Sequence, residues 1–377
     1  MNALNLMESL SIIYDPRQAG KVEHKLADIL LLTMFAVIAG AEGWKDIEDF
    51  GHERLDWLKQ YGEFKNGIPS DTTIANVVSV VDPKQFQRCF IEWMKACHQA
   101  TNGEVVAIDG KTARGSYDKG KNKGAIHMVS AFAAANNVVL GQIKTDQKSN
   151  EITAIPALID LLDLRGCLVT LDAMGCQRDI AEKIVDKGAD YLLAVKGNQG
   201  KLHDAFENHF SMDKINNWEG ETYRTEEKSH GRMESRLYLV SDIFDEFVNL
   251  SFGWKGMKTL GIVVSARMEG DTFNIDDISI RYYISSAELT AEKLAEATRE
   301  HWFIENKLHW KLDVAMNEDD CRIRRGNAPE MLTVYRHIAV NLLNNTTTFK
   351  AGLKRKQRKA AMSTHYLSQV LAGCGAS

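Results

Sequence analysis

The first hundred residues carry apolar side chains at helical spacing. Between residues 26 and 38 they recur every three or four positions, which predicts a buried helix. The uncharged stretch at 29–41 is too short to span a bilayer, which needs roughly 20 residues. Further helices are predicted at 44–50, 72–81 and 84–100. This pattern predicts an N-terminal helical domain over residues 1–100, with DNA binding as its candidate role.

From residue 104 the pattern changes to short apolar runs that alternate with helical segments. The runs predict strands at 104–109, 127–134, 138–144, 167–172 and 191–195. Helices are predicted at 150–162, 178–187 and 201–210. The turn Asn136-Asn137 joins the second and third strands as a hairpin.

The order of these elements constrains the topology. Three strands precede the first helix of this region, so they form an antiparallel meander. The fourth strand must then pair parallel to the first through a helical crossover. The predicted fold class is therefore α/β, with a ribonuclease-H-like mixed sheet flanked by helices.

A second group of strands interrupts this alternation. They are predicted at 222–225, 234–240, 258–266 and 278–285, and long helices follow at 290–311 and 329–344. The predicted division of the chain is an N-terminal helical domain (1–100), a ribonuclease-H-like catalytic domain (101–212 and 287–348), a β-rich insertion (213–286) and a basic C-terminal tail (349–377).

Three carboxylates occupy chemically informative positions in this pattern. Asp109 and Asp172 end the first and fourth predicted strands, and parallel pairing brings these two ends side by side. Glu305 lies in a later apolar helix, where His301, Leu308 and Leu312 are expected to share its face. Carboxylates in this arrangement hold two divalent cations for phosphodiester chemistry, and Mg²⁺ prefers such hard oxygen ligands.

Composition changes this picture little. The formal net charge is −5, which disfavours nucleic-acid binding only mildly, because local basic patches meet phosphates. Six scattered cysteines without a C-x-x-C pair are typical of reduced thiols in a cytoplasmic protein. Two basic groups stand out, Arg322, Arg324 and Arg325 and then Lys350, Lys354, Arg355, Lys356, Arg358 and Lys359.

A series of short motifs carries a specific resemblance. The motifs are Asp15-Pro16-Arg17 and His24, Pro69-Ser70-Asp71-Thr72, Ile108-Asp109-Gly110-Lys111, His127-Met128-Val129-Ser130-Ala131, Ser149-Asn150-Glu151-Ile152, Leu171-Asp172-Ala173, Val195-Lys196-Gly197-Asn198-Gln199, His230-Gly231-Arg232 with Glu234 and Arg236, and His301-Trp302-Phe303-Ile304-Glu305-Asn306 with His309-Trp310 and Leu312-Asp313-Val314. In this order they resemble the H-repeat-associated, Rhs-linked insertion-sequence transposases of the DDE superfamily, over nearly the whole chain.

The resemblance implies a DNA transposase that cuts at insertion-sequence ends and joins 3′ hydroxyls to target DNA. It implies a catalytic, metal-binding triad of Asp109, Asp172 and Glu305 with two Mg²⁺ (or Mn²⁺) ions. The implied partner is double-stranded DNA, both element ends and target, bound by a homodimer. The expected location is the bacterial cytoplasm, in association with the nucleoid and without a membrane.

One departure from related transposases concerns the Tyr-x2-Arg-x3-Glu-x6-Lys pattern around the glutamate. Thr298, His301 and Leu312 stand at the Tyr, Arg and Lys positions, so His301, Lys307 or Lys311 is expected to replace those contacts. The residues expected to contact DNA are Lys111, Lys196, Asn198, His230, Arg232, Arg236, His301, Lys307, Lys311, Arg322, Arg324, Arg325, Lys354 and Arg355.

Two other functions stay open from the sequence. The chain could be a catalytically silent, DNA-binding remnant of a transposable element, since the residues around Glu305 are altered. It could also be a ribonuclease-H-like nuclease that hydrolyses without strand joining. Asp313, eight residues after Glu305, is a weaker alternative metal ligand.

Overall fold

The computed structural model of the protein describes residues 10, 13–97, 103–117, 120, 124–145, 151–229, 232–269, 272–273 and 278–372. Helices form the first part of this chain. They are α1 (Leu26–Ile38), α2 (Trp44–Leu58), α3 (Asp71–Val80) and α4 (Pro83–Cys97). Ser70 caps α3, because its side chain accepts a hydrogen bond from the backbone N–H of Thr73.

A mixed sheet follows, and its strands carry the candidate site. The strands are β1 (Val105–Ala113), β2 (Ile126–Ala133), β3 (Val138–Lys144), β4 (Leu168–Leu171), β5 (Asp190–Val195), β6 (Thr222–Ser229), β7 (Arg232–Asp242), β8 (Thr259–Glu269), β9 (Thr272–Phe273) and β10 (Ser279–Ser285). In the described part of the chain they form one sheet in the order β3-β2-β1-β4-β5-β10-β8-β7-β6, with β9 paired to β8.

The first five strands have the predicted topology. β1, β2 and β3 pair antiparallel, and β4 pairs parallel to both β1 and β5. The helix between β3 and β4 is the predicted crossover. This arrangement confirms the ribonuclease-H-like mixed sheet flanked by helices.

The strands after β5 extend this sheet. β10 returns beside β5 in antiparallel register, with Tyr282 opposite Val195, and β8, β7 and β6 follow outward from it. The division of the chain at residues 213 and 286 stays a prediction.

Further helices follow the strands along the chain, and several of them cover the two faces of the sheet, whereas the last two pack on other helices. They are α5 (Glu151–Leu161), α6 (Arg178–Asp186), α7 (Gly200–His209), α8 (Met212–Asn216), α9 (Asp245–Ser251), α10 (Ala291–His301), α11 (Trp310–Val314), α12 (Ala328–Asn345), α13 (Leu353–Met362) and α14 (Thr364–Ala372). A π-helical turn, Ile304–His309, connects α10 to α11.

The alternation of apolar side chains along the strands produces two packed layers. Val105, Leu168 and Leu192 pack on α10 through Leu294, on one face of the sheet. The opposite face packs into a larger hydrophobic cluster. The residues of this cluster come from positions spread along the chain between Leu10 and Leu371. The N-terminal helices, the sheet and the C-terminal helices therefore share a continuous core.

Helix α12 is the centre of that core. Nearly all of its residues are buried, and it contacts α1, α4 and β3. Asn341 of α12 accepts a hydrogen bond from the Val139 N–H at 2.8 Å and donates one to the Val139 carbonyl at 2.9 Å. These two bonds satisfy the backbone of the edge strand β3 as a neighbouring strand would. No helix in the described ranges is long and apolar enough to cross a membrane.

Candidate active site

Strand pairing brings Asp109 and Asp172 together. The parallel pairing of β1 with β4 ends at Ile108 opposite Leu171, so the next residue of each strand is an aspartate. Asp172 directly follows β4, although the sequence predicted it as the last residue of that strand. Its Oδ1 accepts hydrogen bonds from the backbone N–H groups of Met174 (2.9 Å) and Gly175 (3.2 Å). This turn holds the carboxylate at the strand end.

The prediction that β1 ends at Asp109 is wrong. The strand continues to Ala113, because its antiparallel pairing with β2 persists from Asp109 opposite Ser130 to Ala113 opposite Ile126. Asp109 therefore lies within a strand that is paired on one side and open on the other. Its carboxylate is consequently held on a rigid element at the open side of the sheet.

Glu305 lies in the π-helical turn. The backbone N–H of Trp310 donates to the Glu305 carbonyl, five residues earlier, whereas an α-helix would use a carbonyl four residues earlier. Because a π-helical turn contains more residues than an α-helical turn, Leu308 and Leu312 lie in the core while Glu305 is exposed. The expectation that these leucines share the face of Glu305 is wrong.

The acids influence one another electrostatically. The pKa of Asp109 is raised to about 7, chiefly by burial and also by the charges of Glu151, Asp172 and Glu305, against the lowering effect of a hydrogen bond from the Gly110 N–H. Burial and then the charge of Asp172 raise the pKa of Glu305. Carboxylates that raise one another's pKa would be stabilised by a bound cation, so these residue types fit a divalent metal. In the described part of the chain, the ligand atoms of the three acids do not form a group within 4.8 Å of one another.

The basic side chain beside Asp109 does not supply this compensation. The Nδ1 atom of His309 lies 3.6 Å from Oδ2 of Asp109. Burial, and then the neighbouring His337 and Lys111, lowers the pKa of His309 to about 3, so the imidazole is neutral near pH 7. The contact is therefore not an ion pair.

A cavity of about 220 Å³ opens at the acids. It is lined by Asp172 and Glu305, and also by His301 and Lys196. His301 is held by a 2.9 Å hydrogen bond between its Nδ1 atom and the hydroxyl of Thr170, and burial lowers its pKa. His301 and Lys196 thus line the same cavity as Asp172 and Glu305, and their predicted contacts with DNA stay predictions.

A second cavity, of about 520 Å³, adjoins the first, and the two share Arg281, Tyr283, Thr298 and Trp302. It lies between strands β7, β8 and β10 and helix α10. The guanidinium of Arg281 lies 5.4 Å from the ring centroid of Trp302. Its further arginines are Arg236, Arg267 and Arg299.

Lys111 is engaged inside the protein. Its Nζ atom lies 2.7 Å from Asp313, 3.1 Å from Glu318 and 3.3 Å from Asp319, and its side chain is only 11% exposed. These acids follow Glu305 along the chain. The ion pairs therefore connect strand β1 to the segment that carries the third acid of the site.

Several other predicted DNA contacts make internal bonds. Asn198 donates to the Ala173 carbonyl at 2.6 Å, which joins the loops after β4 and β5. Arg236 pairs with Glu234 at 2.6 Å, and Lys311 donates to Asn344 at 2.9 Å. The DNA-binding role of these residues stays a prediction.

The predicted basic groups are only partly available to solvent. Arg322, Arg325 and Arg355 are exposed, whereas Arg324 donates to the Gly115 carbonyl at 3.1 Å and Lys354 donates to the Ala315 carbonyl at 3.0 Å. Outside these groups, Lys307 stacks on the ring of Phe303, with its Nζ atom 3.3 Å from the ring centroid. His230 and the side chain of Arg232 lie outside the described residues.

Two side chains near the triad were missed at the level of sequence. Glu151 begins α5 and bonds to His127, and His309 contacts Asp109. Both belong to motifs that carried the resemblance, but neither has a spacing that marks it as functional. Their proximity to the acids is a result of the tertiary fold.

A separate group of metal-ligand type lies on α7. Ligand atoms of His203, Asp204 and Glu207 lie within 4.8 Å of one another. The acids of this group are exposed, and it shares no residue with the proposed triad. Such surface groups are common without a metal, so no function is assigned to it.

Comparison with known protein families shows to which family the chain belongs. The family model of the transposase DDE domain matches residues 100–342, and the model described as DDE_Tnp_1-associated matches residues 7–94. The chain belongs to the DDE transposase family. Members of this family bind and cleave DNA and generally use divalent metals.

Individual relatives agree with the resemblance seen in the motifs. The H repeat-associated protein YhhI of Escherichia coli K12, named as a transposase, is 59% identical over 378 residues and is covered completely, as is this chain. YbfQ of the same strain, named as an inactive transposase, is 67% identical over 79 residues, which are 21% of this chain and 94% of YbfQ. The predicted relationship to H-repeat-associated transposases is confirmed.

A solved structure is also similar. The piggyBac transposase synaptic complex with hairpin DNA aligns with a TM-score of 0.48 and 12% identity, over 97% of this chain and 81% of the solved chain.

Proposed function

We propose that this DDE transposase cuts DNA at insertion-sequence ends and joins the ends to target DNA, using Asp109, Asp172 and Glu305. The observation that carries the proposal is the register of β1 and β4, in which the paired residues Ile108 and Leu171 are each followed by an aspartate. The charges of Asp172 and Glu305 both act on Asp109, which supports a common site.

The three carboxylates would hold two Mg²⁺ or Mn²⁺ ions. Such ions supply activation of a water or 3′ hydroxyl and stabilisation of the leaving oxygen in an in-line displacement. Asp109 contributes a ligand from a rigid strand, Asp172 from a turn fixed by two N–H groups, and Glu305 from the π-helical turn. The neutral imidazole of His309, whose Nδ1 atom lies 3.6 Å from Oδ2 of Asp109, adds no positive charge that would repel the cations.

DNA would approach through the two adjoining cavities. Arg281 would supply charge for phosphates, since Arg236, Arg267 and Arg299 of the larger cavity pair with Glu227 or Glu234. Tyr283 and Trp302 would offer aromatic faces for bases. Lys196 lies at the smaller cavity and is exposed. A homodimer that holds both element ends is part of the proposal, because paired ends are cut together in this chemistry.

A catalytically silent remnant is the second candidate. The replacement of the Tyr, Arg and Lys positions by Thr298, His301 and Leu312 favours it. The cavities support DNA binding in either case. The two functions differ in whether DNA is cut when a divalent metal is supplied.

The test is cleavage of a plasmid that carries the DNA flanking the protein's own gene, with Mg²⁺ or Mn²⁺. The variants are Asp109→Asn, Asp172→Asn and Glu305→Gln, and the control is Asp204→Asn, an exposed acid on α7. We expect end-specific cutting and strand joining by the wild type and by the control, and loss of more than a hundredfold in each triad variant.

Three results would contradict parts of this proposal. Wild-type binding of the ends without cutting under either metal supports the silent remnant. Hydrolysis without joined products supports a ribonuclease-H-like nuclease. Full activity in Asp109→Asn would reject the assigned site while leaving the transposase function in place.

A further inference from the structure

The segment between α11 and α12 includes a loop that carries Arg322, Arg324 and Arg325, and we call residues 321–326 the arginine loop. The loop begins against the turn that follows strand β1. A Cβ atom at Gly115, in that turn, would overlap the backbone carbonyl oxygens of Asp319 and Cys321. The φ of Gly115 is not in the left-handed region, so the close approach of the two segments is what requires a glycine here.

The other end of the arginine loop is held by helix α3. Gly326 has a φ of 50°, and a Cβ atom there would overlap the carbonyl oxygen of Ser79. The backbone N–H of Asn327 donates to the same carbonyl at 2.9 Å, and its side-chain amide donates to the Val81 carbonyl at 2.9 Å. The loop is therefore fixed at both ends, to the sheet and to the N-terminal helices.

The side chains of the loop are oriented by neutral groups. The Nε atom of Arg324 donates to the Gly115 carbonyl at 3.1 Å, and its guanidinium carbon lies 4.6 Å from the ring centroid of Tyr117. Arg325 donates to the side-chain oxygen of Asn76. A stacked guanidinium keeps its remaining N–H groups in a fixed plane, which is the geometry that binds a phosphate through two hydrogen bonds.

The positive charge of the loop is not balanced by acids in the described part of the chain. Among the described residues, no carboxylate forms an ion pair with the three arginines of the loop, and the acids that precede it have other partners. Glu318 and Asp319 both pair with Lys111, and Asp319 also pairs with Arg114. A solvated surface would account for one exposed arginine, but not for three on a loop that is fixed at both ends.

The arginine loop lies on the same face of β1 as Asp109. Lys111 shares that face, because side chains alternate along a strand and the pairing of β1 with β2 is regular here. The Nζ atom of Lys111 lies 3.3 Å from Asp319, which precedes the loop by two residues. The backbone N–H of Arg114 donates to the same carboxylate at 3.1 Å.

The distance from Asp109 to the loop can be expressed in base pairs of DNA. Arg114 follows Asp109 by five residues, and five residues of a strand span about 17 Å. The phosphates of one DNA strand advance by about 3.4 Å along the axis for each base pair. The separation therefore corresponds to about five base pairs.

We propose that the arginine loop binds the phosphate backbone of duplex DNA, about five base pairs from the phosphodiester that lies at the three acids. This inference rests on the proposed function, because it places the bound DNA relative to the catalytic site. A duplex that extends along β1 past Asp109 meets the loop. The contact positions the duplex at the acids and carries no sequence information.

The experiment measures binding of the full-length protein to a duplex of the DNA that flanks its own gene, at several salt concentrations and without divalent metal. The variant is Arg322→Gln, because Arg322 is exposed and its replacement breaks no hydrogen bond or ion pair among the described residues. Arg165→Gln is the matched control. Arg165 is 79% exposed and precedes β4, so it lies at the opposite end of that strand from Asp172.

We expect Arg322→Gln to reduce the slope of log K against log salt by about one, as loss of one phosphate contact does. Arg165→Gln should leave the slope unchanged, and circular dichroism should show the same fold in both variants. The position of the contact is tested with duplexes that carry one neutral methylphosphonate at successive phosphates. The replacement about five base pairs from the mapped cut should weaken binding of the wild type. It should weaken binding of Arg322→Gln no further, because the two changes remove the same contact.

Three outcomes overturn the inference. One is an unchanged slope in Arg322→Gln while the wild type still cuts the ends, which leaves the proposed function intact. Another is an equal reduction of the slope in Arg165→Gln. The third is a reduced slope in Arg322→Gln without coupling to a phosphate near the expected position. Failure of the proposed function gives a different result, in which the wild type binds the ends and does not cut them with a metal, while the slopes of the two variants still test the arginine loop.

Discussion

At the scale of single residues, the protonation of Asp109 links the site to stability. Its carboxyl is buried among like charges, and its pKa is raised from 3.8 to about 7 in the folded protein. The unfolded chain loses this proton near the ordinary value. Ionisation of Asp109 therefore destabilises the metal-free fold progressively as the pH rises from about 4 to 7.

Asp109→Asn should remove this pH dependence. Without metal, the variant should be more stable than the wild type, and the difference should grow by about 2 to 3 kcal/mol between pH 5 and pH 8. The measurement is denaturant unfolding of both proteins in a chelator at the two pH values. Asp204→Asn, which changes an exposed acid, is the control.

A difference that stays constant or shrinks with rising pH would contradict this account of Asp109. Added Mn²⁺ should reverse the order at pH 8, because the wild type then gains binding free energy that the variant lacks. The same acid thus destabilises the free protein and stabilises the metal complex.

At the scale of elements, the basic residues of helix α13 fall into two classes, buried and exposed. Lys356 is buried, and its Nζ atom donates to the carbonyls of Leu343 (2.8 Å) and Thr346 (2.7 Å) at the end of α12. These carbonyls have no partner within their own helix. Arg355 and Arg358, by contrast, are exposed on the same helix, α13.

Lys356→Met should lower the free energy of unfolding by about 2 to 3 kcal/mol, because it leaves buried carbonyl oxygens without donors. Arg358→Met, which removes an exposed cation from the same helix, should change it by less than about 0.5 kcal/mol. Denaturant titrations of the two variants provide the comparison. Equal effects would show that Lys356 does not cap α12.

The elements differ in how well sequence alone predicts them. Strand β3 has the predicted bounds, β4 is one residue shorter than predicted at each end, and β5 begins one residue earlier than predicted. The helix predicted at 290–311 is instead interrupted by the π-helical turn that carries Glu305. Apolar periodicity predicts which face of a helix is buried. It does not reveal the extra residue of the π-helical turn, because the buried positions of this turn are still apolar.

At the scale of the whole molecule, a net charge of −5 must be reconciled with DNA binding. Some basic side chains, such as Lys111 and Lys356, are bonded to partners inside the fold. In the proposed function, the cations left for phosphates are Arg281 at the two cavities and exposed side chains such as Lys196 and Arg322. The distribution of charge, and not its sum, is therefore decisive.

The salt dependence of DNA binding should separate these two classes. Lys196→Gln should reduce the slope of log K against log salt by about one, as loss of one phosphate contact does. Lys111→Met should leave the slope unchanged and lower the unfolding temperature, because Lys111 stabilises the acids that follow Glu305. Binding of element ends at several salt concentrations measures both slopes, and circular dichroism checks the fold of each variant.

A reduced slope in Lys111→Met with unchanged stability would make Lys111 a phosphate contact, as the sequence suggested. An unchanged slope in Lys196→Gln would remove Lys196 from the DNA interface.

The alternation of apolar residues and the order of strands and helices were enough to predict the ribonuclease-H-like sheet and the adjacency of Asp109 and Asp172. Both follow from local patterns, because parallel pairing through a crossover helix leaves few arrangements. Only the tertiary structure decided three other features. They are the partners of Lys111, up to 208 residues away, the cap that Lys356 provides, and the packing of Glu151 against Gly110. The interaction of two charged side chains depends on their distance and burial in the folded chain, and the spacing of residues in the sequence gives neither quantity.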